Sequence, residues 1–561
     1  VRTHRLVELV PPLLVAALAL PFALRQNAWL EWQTPYWMLE RQTAWISAHG
    51  APTLFLQSRF AGFSPFFVFY GGPLLTLLAY PAVLVGAWPM FLVSIVVAMV
   101  AGYLGIRWAA RSLGLSPALA VLPALAFACA PYMLSLLYGR GAWSELVAAN
   151  AAAVALGALT TLLCGPERQR RRALAALALA TATIAGTHNL SMLLSAIVLP
   201  LAVLALLPLA RRDGLARRLG AAVLATALGT GLTAAWLVPN LWLGPRTRLA
   251  QPGENVGFLH SAAHLHHAST VLSPLPHAPD ATARSVFPQP SVLAALCGLA
   301  ALALLAWTRR GRAWRALAGA GALGVLALAL LLLTVDPAWW DHFPRLLQSV
   351  QLPMRLLPYV GMAVALASAI AFAALPPSRP RRAATAALAA AVALQVAAAG
   401  WIALGSHAAS PLPGPLMDRH QVTVEGEPDA FSGPDVYTQA QFMLSDHPTA
   451  RATIAAVVPA SIDDVATSEA VTAGAPGAAG QRRRISVAWS PFIRVGGDAR
   501  LVGRDREGIA IVRVLRTDRA GRWTATIRAR TPWQLHAGRA LALLSALALL
   551  GCAARWVRRR P

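Results

Sequence analysis

Several short stretches carry residue types that can handle charge in an apolar setting. Glu31 stands between Trp29 and Trp32, and Glu40 follows nine residues later. The stretch YGRGAWSE puts Arg140 and Glu145 five residues apart across the start of an apolar run. THN brings His188 and Asn189 to the end of another run, and QLPMRLL sets Arg355 just after Pro353. Arg59 and Tyr70 lie in an aromatic-rich stretch. A carboxylate beside two indoles is partly shielded from water, which raises its basicity and suits it to take a proton from a hydroxyl. A guanidinium presents a planar fork that matches two phosphate oxygens. Each residue also has an ordinary reading: a glutamate anchoring a helix at the interface, a local Arg140–Glu145 pair at a turn, a satisfied interior histidine, an arginine snorkelling to water.

The elements that must position these residues are apolar helices. The 561-residue chain is 57% hydrophobic and 13% charged. About a dozen Ala, Leu and Val runs reach the ~17–25 residues that span a bilayer. The formal charge of +25 comes from arginine, since the sequence has no lysine. The arginines sit in clusters between apolar runs, as membrane topology requires, so no nucleic-acid partner is expected. The four cysteines lie in or beside apolar runs without CxxC spacing, which points to neither a disulfide framework nor a zinc site. Leu6–Leu24 reads as a retained anchor, because no small-residue cleavage site follows it.

The positive-inside rule then orders the chain. Arg107 and Arg111, Glu167–Arg172, Arg211–Arg218, Arg309–Arg315, Arg379–Arg382 and Arg555–Arg560 fall on the cytoplasmic side, with both termini. This holds only if Pro73–Ala87 does not cross; it is short and interrupted by Pro81. Twelve spans result, among them Pro117–Leu137, Ala173–His188, Leu219–Leu241 and Val292–Trp307. Three segments are external: 25–87, in which Trp37–His49 forms an amphipathic helix lying in the interface, 244–290, and 406–534. The last is β-rich by its alternation at Ile485, Val487 and Trp489, at Ile509 and Ile511, and at Trp523, Ala525 and Ile527. It precedes a final helix and basic tail in 535–561. Glu31, Arg59, Tyr70, Arg140, Glu145, His188 and Arg355 all fall on the outer face, by a rule that does not consult them. Polar residues at membrane depth usually line a cavity. The loop histidines His260, His264, His266 and His267 are too loosely spaced, in a Pro-rich stretch without an acidic partner, to predict a metal site.

The order of these pieces resembles a family. An acidic residue after the first helix, GFSPFFVFYGGPLL, YGRGAWSE, THNLS and QLPMRLL together look like the bacterial membrane proteins called 6-pyruvoyl-tetrahydropterin synthase-related, which are similar to YfhO-type proteins. That name is a historical label, and the chain shows no pterin-synthase metal-site pattern. The likeness covers roughly residues 1–405. The group in turn resembles the C superfamily of polytopic glycosyltransferases (GT-C). The resemblance implies a GT-C-like transmembrane domain over 1–405 in a bacterial plasma membrane. It implies an active site outside the cytoplasm, and transfer of a sugar from a polyprenyl-phosphate donor to a glycan, lipid or protein acceptor of the envelope. No cofactor is implied, and a divalent-metal requirement stays open. Glu31 then matches the general base, with Glu40 and Glu145 as alternates. Arg140 and Arg355, with Arg59 in reserve, are read as binding the donor phosphate, and Tyr70, His188 and Asn189 as lining the substrate cavity. Relatives often carry Asp at the first position and a His a few residues on; this chain has Glu31 and, near the second place, Trp37. Direct displacement by an activated hydroxyl would invert the anomeric centre. A transporter or flippase for a lipid-linked sugar would use the same arginines without a base, and a non-catalytic envelope-assembly protein would use the outer domain for binding.

Overall fold

The computed structural model describes residues 2–24, 32–54, 56–58, 62–64, 72–243, 267–276, 287–308, 313–344, 352–405, 458, 460–461, 468–489, 493–505 and 509–558. The chain opens with α1 (Arg2–Ala17), α2 (Leu20–Leu24), α3 (Gln33–His49), the antiparallel pair β1 (Leu56–Ser58) and β2 (Gly62–Ser64), and α4 (Gly72–Val85). The helical body comprises α5 (Ala87–Ser112), α6 (Val121–Ala128), α7 (Pro131–Tyr138), α8 (Trp143–Cys164), α9 (Arg170–Ala185), α10 (Asn189–Leu206), α11 (Leu215–Leu232) and α12 (Ala234–Leu243). It continues through α13 (Val292–Thr308), α14 (Trp314–Val335), α15 (Leu357–Ala374) and α16 (Arg379–Gly405). Strands β3 (Ala460–Ser461), β4 (Ala470–Pro476), β5 (Arg482–Ala488), β6 (Ile493–Gly497), β7 (Ala499–Arg504), β8 (Ile509–Val514) and β9 (Arg522–Ala529) precede α17 (Trp533–Arg558).

Among the described residues, seven helices are long and apolar enough to cross a membrane, or nine if each of two bent pairs counts as one span. The other three expected spans are weaker. Glu8–Ala23 and Val292–Thr308 are shorter apolar helices, and α9 begins on three arginines and has 16 residues. Sixteen residues rise about 24 Å, less than the roughly 30 Å of a hydrocarbon core.

Two spans that the sequence presents as continuous are broken. α6 and α7 meet at 41°, and α11 and α12 at 77°. Ala130 takes an extended conformation ahead of Pro131, because the proline ring crowds a helical predecessor. Ala130 N–H consequently turns to Phe127 O, and the Ala126 carbonyl loses its helical donor. Ser291 Oγ and Gln395 Nε2, the latter at 2.5 Å, take that carbonyl instead. An apolar medium offers no water to do so, hence the buried side-chain donors.

The bundle has two distinct ends. At one, the Phe22 ring lies 5.7 Å from Trp32 and 6.3 Å from both Trp88 and Tyr138, and Trp143 stacks on Phe91 at 5.7 Å. At the other, Arg107 pairs with Glu8 at 2.7 Å, Trp108 Nε1 donates to Gln169, and Arg218 donates to Leu162 O and Glu167. Arginine clusters far apart in sequence thus gather at one end. The chain from Phe22 to Trp88 starts and finishes at the aromatic end, so it makes no net crossing.

Small residues let the helices approach. A Cβ on Gly105 of α5 would stand 2.7 Å from the Ala153 carbonyl of α8, and one on Gly157 of α8 would collide with the Gly105 carbonyl. Such contacts replace the hydrophobic drive that lipid removes. The expected Trp37–His49 helix is present as α3, which starts at Gln33 and buries Tyr36, Trp37, Met38 and Leu39 within the protein. Its buried Gln42 donates to Thr76 Oγ1 of α4 and to Thr53 O, each at 2.8 Å, which ties the helix to the bundle.

The C-terminal strands form two antiparallel sheets, β3-β4-β9-β6 and β5-β8-β7. Ile485, Val487, Trp523, Ala525 and Ile527 are buried, in the expected alternation. In β8 the phase is the opposite of the expectation: Ala510, Val512 and Val514 face the core, and Ile511 is only partly buried. Both parities of IAIVRV are apolar at some positions, so pairing with β5 and β7 decides the face. β2 lies against β5 and β9, and His49 Nε2 is 3.8 Å from Glu469 Oε1. The β domain therefore touches the segment that follows α3.

Candidate functional site

The YGRGAWSE stretch forms the link between α7 and α8, at the aromatic end. Arg140 N–H bonds to Ser135 O at 2.7 Å, which closes α7. Gly141 then takes φ 66°, and a Cβ there would meet Trp32 Cδ1 at 2.8 Å. Only glycine meets both conditions without strain. The turn reverses the chain, so Arg140 and Glu145, on the first turn of α8, meet side by side. Arg140 Nη1 donates to Glu145 Oε2 at 2.9 Å, and both side chains are 3% exposed.

Arg355 arrives from the 3₁₀ turn Pro353–Leu356 that leads into α15. Its Nε donates to the same Glu145 Oε2 at 3.2 Å. Tyr132, on α7, donates its hydroxyl to Glu145 Oε1 at 2.9 Å, and Arg140 Nη1 stands 3.4 Å from that hydroxyl. Among these described residues, one buried carboxylate thus holds two buried guanidiniums and a phenol. Arg355 Nη1 is buried and finds no hydrogen-bond partner among the described residues, and the same holds for Ser144 Oγ.

His188 caps α10. Its Nδ1 accepts Ser191 N–H at 3.3 Å and lies 2.8 Å from Ser191 Oγ, so the neutral ring carries its proton on Nε2. The ring lies within electrostatic reach of Arg355, Glu145 and Arg140. Tyr359 of α15 donates to Ser191 O at 3.0 Å and sits 2.9 Å from Ser195 Oγ, joining α10 to the helix that follows Arg355. Asn189 heads α10 and is exposed.

The structure therefore brings Arg140, Glu145, Arg355 and His188 together from three separated motifs. Glu40 stands apart: it is partly buried on α3, where Tyr36 donates to its Oε1 at 2.7 Å. Glu31, Arg59 and Tyr70 lie outside the described residues, as do His260, His264 and His266. Among the described residues no cluster of His, Cys, Asp or Glu has the makings of a metal site. Sequence reasoning missed Tyr132 and Tyr359. A hydroxyl in an otherwise apolar run was the signal, but several tyrosines share it. It also passed over Ser144, which lies inside a motif that was singled out for its charges.

Glu145 has both oxygens engaged as acceptors, three bonds in all. Its chemistry here is to fix two cations, and accepting a substrate proton would require breaking those contacts. Arg140 and Arg355 present positive charge in a region that water does not screen, where an anion is held strongly.

No family model matches the sequence, and no curated protein matches it. Its backbone is similar to solved glycosyltransferases. Against the arabinofuranosyltransferase AftD from Mycobacteria the TM-score is 0.43 at 19% identity, over 76% of this chain and 30% of that one. Against the oligosaccharyltransferase AglB from Archaeoglobus fulgidus, solved with an inhibitory peptide and a dolichol-phosphate, it is 0.39 at 15% identity, over 80% and 61%. The apo form of the Archaeoglobus fulgidus oligosaccharyltransferase gives 0.41 at 14%, over 80% and 60%. The chain spans less than two thirds of the length of each.

Proposed function

We propose that this protein is an integral-membrane glycosyltransferase that transfers a sugar from a polyprenyl-phosphate donor to an envelope acceptor outside the cytoplasm. One observation carries the reading: two buried arginines share a single carboxylate oxygen, and one of them keeps a donor, Arg355 Nη1, that has no partner among the described residues. Two buried guanidiniums facing one carboxylate among the described residues favour a further anion, and a departing phosphate is such an anion. The reaction needs no general acid, because phosphate leaves charged. It needs one base for the acceptor hydroxyl, and Glu31 is the candidate. Its sequence neighbour Trp32 packs on Gly141, one residue from Arg140, which supports that assignment. The acceptor is a glycan, lipid or protein. The β domain, which touches the segment after α3, is in a position to meet it.

The test is transfer of labelled sugar from polyprenyl-phosphate donors in proteoliposomes, comparing wild type with Glu31→Gln. Turnover of the variant is expected to fall by roughly 10²–10⁴-fold, with donor binding little changed. Lipid movement across the bilayer with no glycosyl product in either form would favour a transporter and overturn the enzyme reading.

A further inference from the structure

The first turn of α8 is buried, yet it holds polar groups that find no partner among the described residues. Trp143 N–H goes to Gly141 O and Leu146 N–H to Ala142 O, while Ala142 supplies no side-chain cap. The amides of Ser144 and Glu145 have no acceptor among the described residues. Such amides, with the positive end of the helix dipole, favour an anion. Two further groups reach the same turn. Ser144 Oγ is buried without a partner among the described residues, on a Cβ that tilts toward the helix start. Arg355, 8% exposed, is anchored to this turn by its Nε bond to Glu145, and its Nη1 has no partner among the described residues.

A buried hydroxyl without a partner is costly unless something binds it. A buried guanidinium nitrogen is more so. Both stand at the start of one 22-residue helix. Glu145 already supplies one negative charge there, but it accepts from side chains on the turn's flank rather than from the turn's own amides.

Resting on the glycosyltransferase reading, we propose that the phosphate of the donor is seated on the first turn of α8, held by Ser144 Oγ, the Ser144 and Glu145 amides and Arg355 Nη1. Glu145 and Tyr132 are then positioning residues that aim the two arginines. The ligand chemistry is a phosphate ester, and a free phosphate would offer the same oxygens.

The experiment measures binding to the purified full-length protein in detergent, by ligand-dependent thermal stabilisation, with polyprenyl phosphate and separately with inorganic phosphate. Ser144→Ala is the decisive variant. If Ser144 only fills space, losing an unpartnered hydroxyl leaves the ligand-free melting temperature equal or higher and leaves binding unchanged. If it binds phosphate, the ligand-free protein is equally stable but affinity for polyprenyl phosphate falls by roughly 10-fold or more. Arg355→Lys keeps charge, loses the second nitrogen, and is expected to weaken binding to a similar degree. Wild-type affinity in Ser144→Ala would overturn the seat while leaving the donor reading standing. A wild type that binds neither ligand would overturn the donor reading and the seat with it. Ser144-dependent binding of inorganic phosphate but not of the lipid would keep an anion seat and remove the lipid donor from it.

Discussion

Glu145 carries more of the local structure than any other single residue at the site. Removing its charge by Glu145→Gln leaves Arg140 and Arg355 buried against each other. Breaking a buried pair costs about 3–5 kcal/mol. Tyr132→Phe removes one hydrogen bond and leaves the carboxylate on both arginines, so its effect is expected to be about 1–3 kcal/mol. Thermal unfolding in detergent ranks the two; an equal or larger loss in Tyr132→Phe would contradict the assignment of Glu145 as the hub. Gly141→Ala would place a Cβ against Trp32 at a left-handed φ. At least ~1–2 kcal/mol of strain is expected from the backbone alone, along with misplacement of Arg140, read as weaker donor binding. Full stability with wild-type binding would show that the turn tolerates a side chain.

Broken helices and shielded carbonyls set the element scale. α7 carries Tyr132 and leads into Arg140, and its angle to α6 depends on the Ala126 carbonyl being taken by Gln395 and Ser291. Gln395→Leu keeps the volume and removes a donor. It is expected to destabilise by about 1–3 kcal/mol and to lower transfer activity, because the hinge holds the arginine-bearing turn. An activity loss without any fall in melting temperature would point to a direct role instead. In the β domain, Asp498 accepts from Arg516 Nε at 2.6 Å and from Thr524 N–H at 3.1 Å. The Arg516 bond, then the Thr524 amide, hold its carboxyl below the ordinary range, and amide bonds from Arg522 and Ala520 do the same for Asp518. A carboxyl depressed in the folded state adds stability that is present above its unfolded value, about 3.9, and is lost as pH falls through the folded value. Hydrogen-exchange protection of β6–β9 is therefore expected to decline below about pH 4, and Asp498→Asn to blunt that decline.

At the scale of the whole molecule, the aromatic end and the arginine end define a polarity for the bundle. By the positive-inside rule, the arginine end is expected to face the cytoplasm. A cysteine placed near Arg170 is expected to resist an impermeant external reagent, and one placed near Trp88 to react. The reverse pattern would invert the topology and move the candidate site to the cytoplasmic face. The last helix is part of the same body: a Cβ on Gly538 would collide with the Ala234 carbonyl, and one on Gly231 with Ser545. α17 thus ties the end of the β domain to the helical body.

The sequence determined the apolar helices, the arginine clusters between them and the alternation in β5 and β9, because each is set by local composition and period. It also exposed Arg140, Glu145, His188 and Arg355 as polar residues in apolar surroundings. Tertiary structure decided what those residues do to each other. Arg355 lies 210 positions from Glu145, and no local rule says that they share an oxygen. The burial of α3 and the face of β8 were equally beyond sequence, whereas the break at Ala130 follows from Pro131 beside it. The first two depend on partners distant in the chain, Thr76 for Gln42 and the β5 and β7 register for β8, and a distant Gln395 takes the Ala126 carbonyl that the proline break frees. Composition fixes which segments leave water, but the pairing of buried polar groups is a long-range choice, made only when the helices pack.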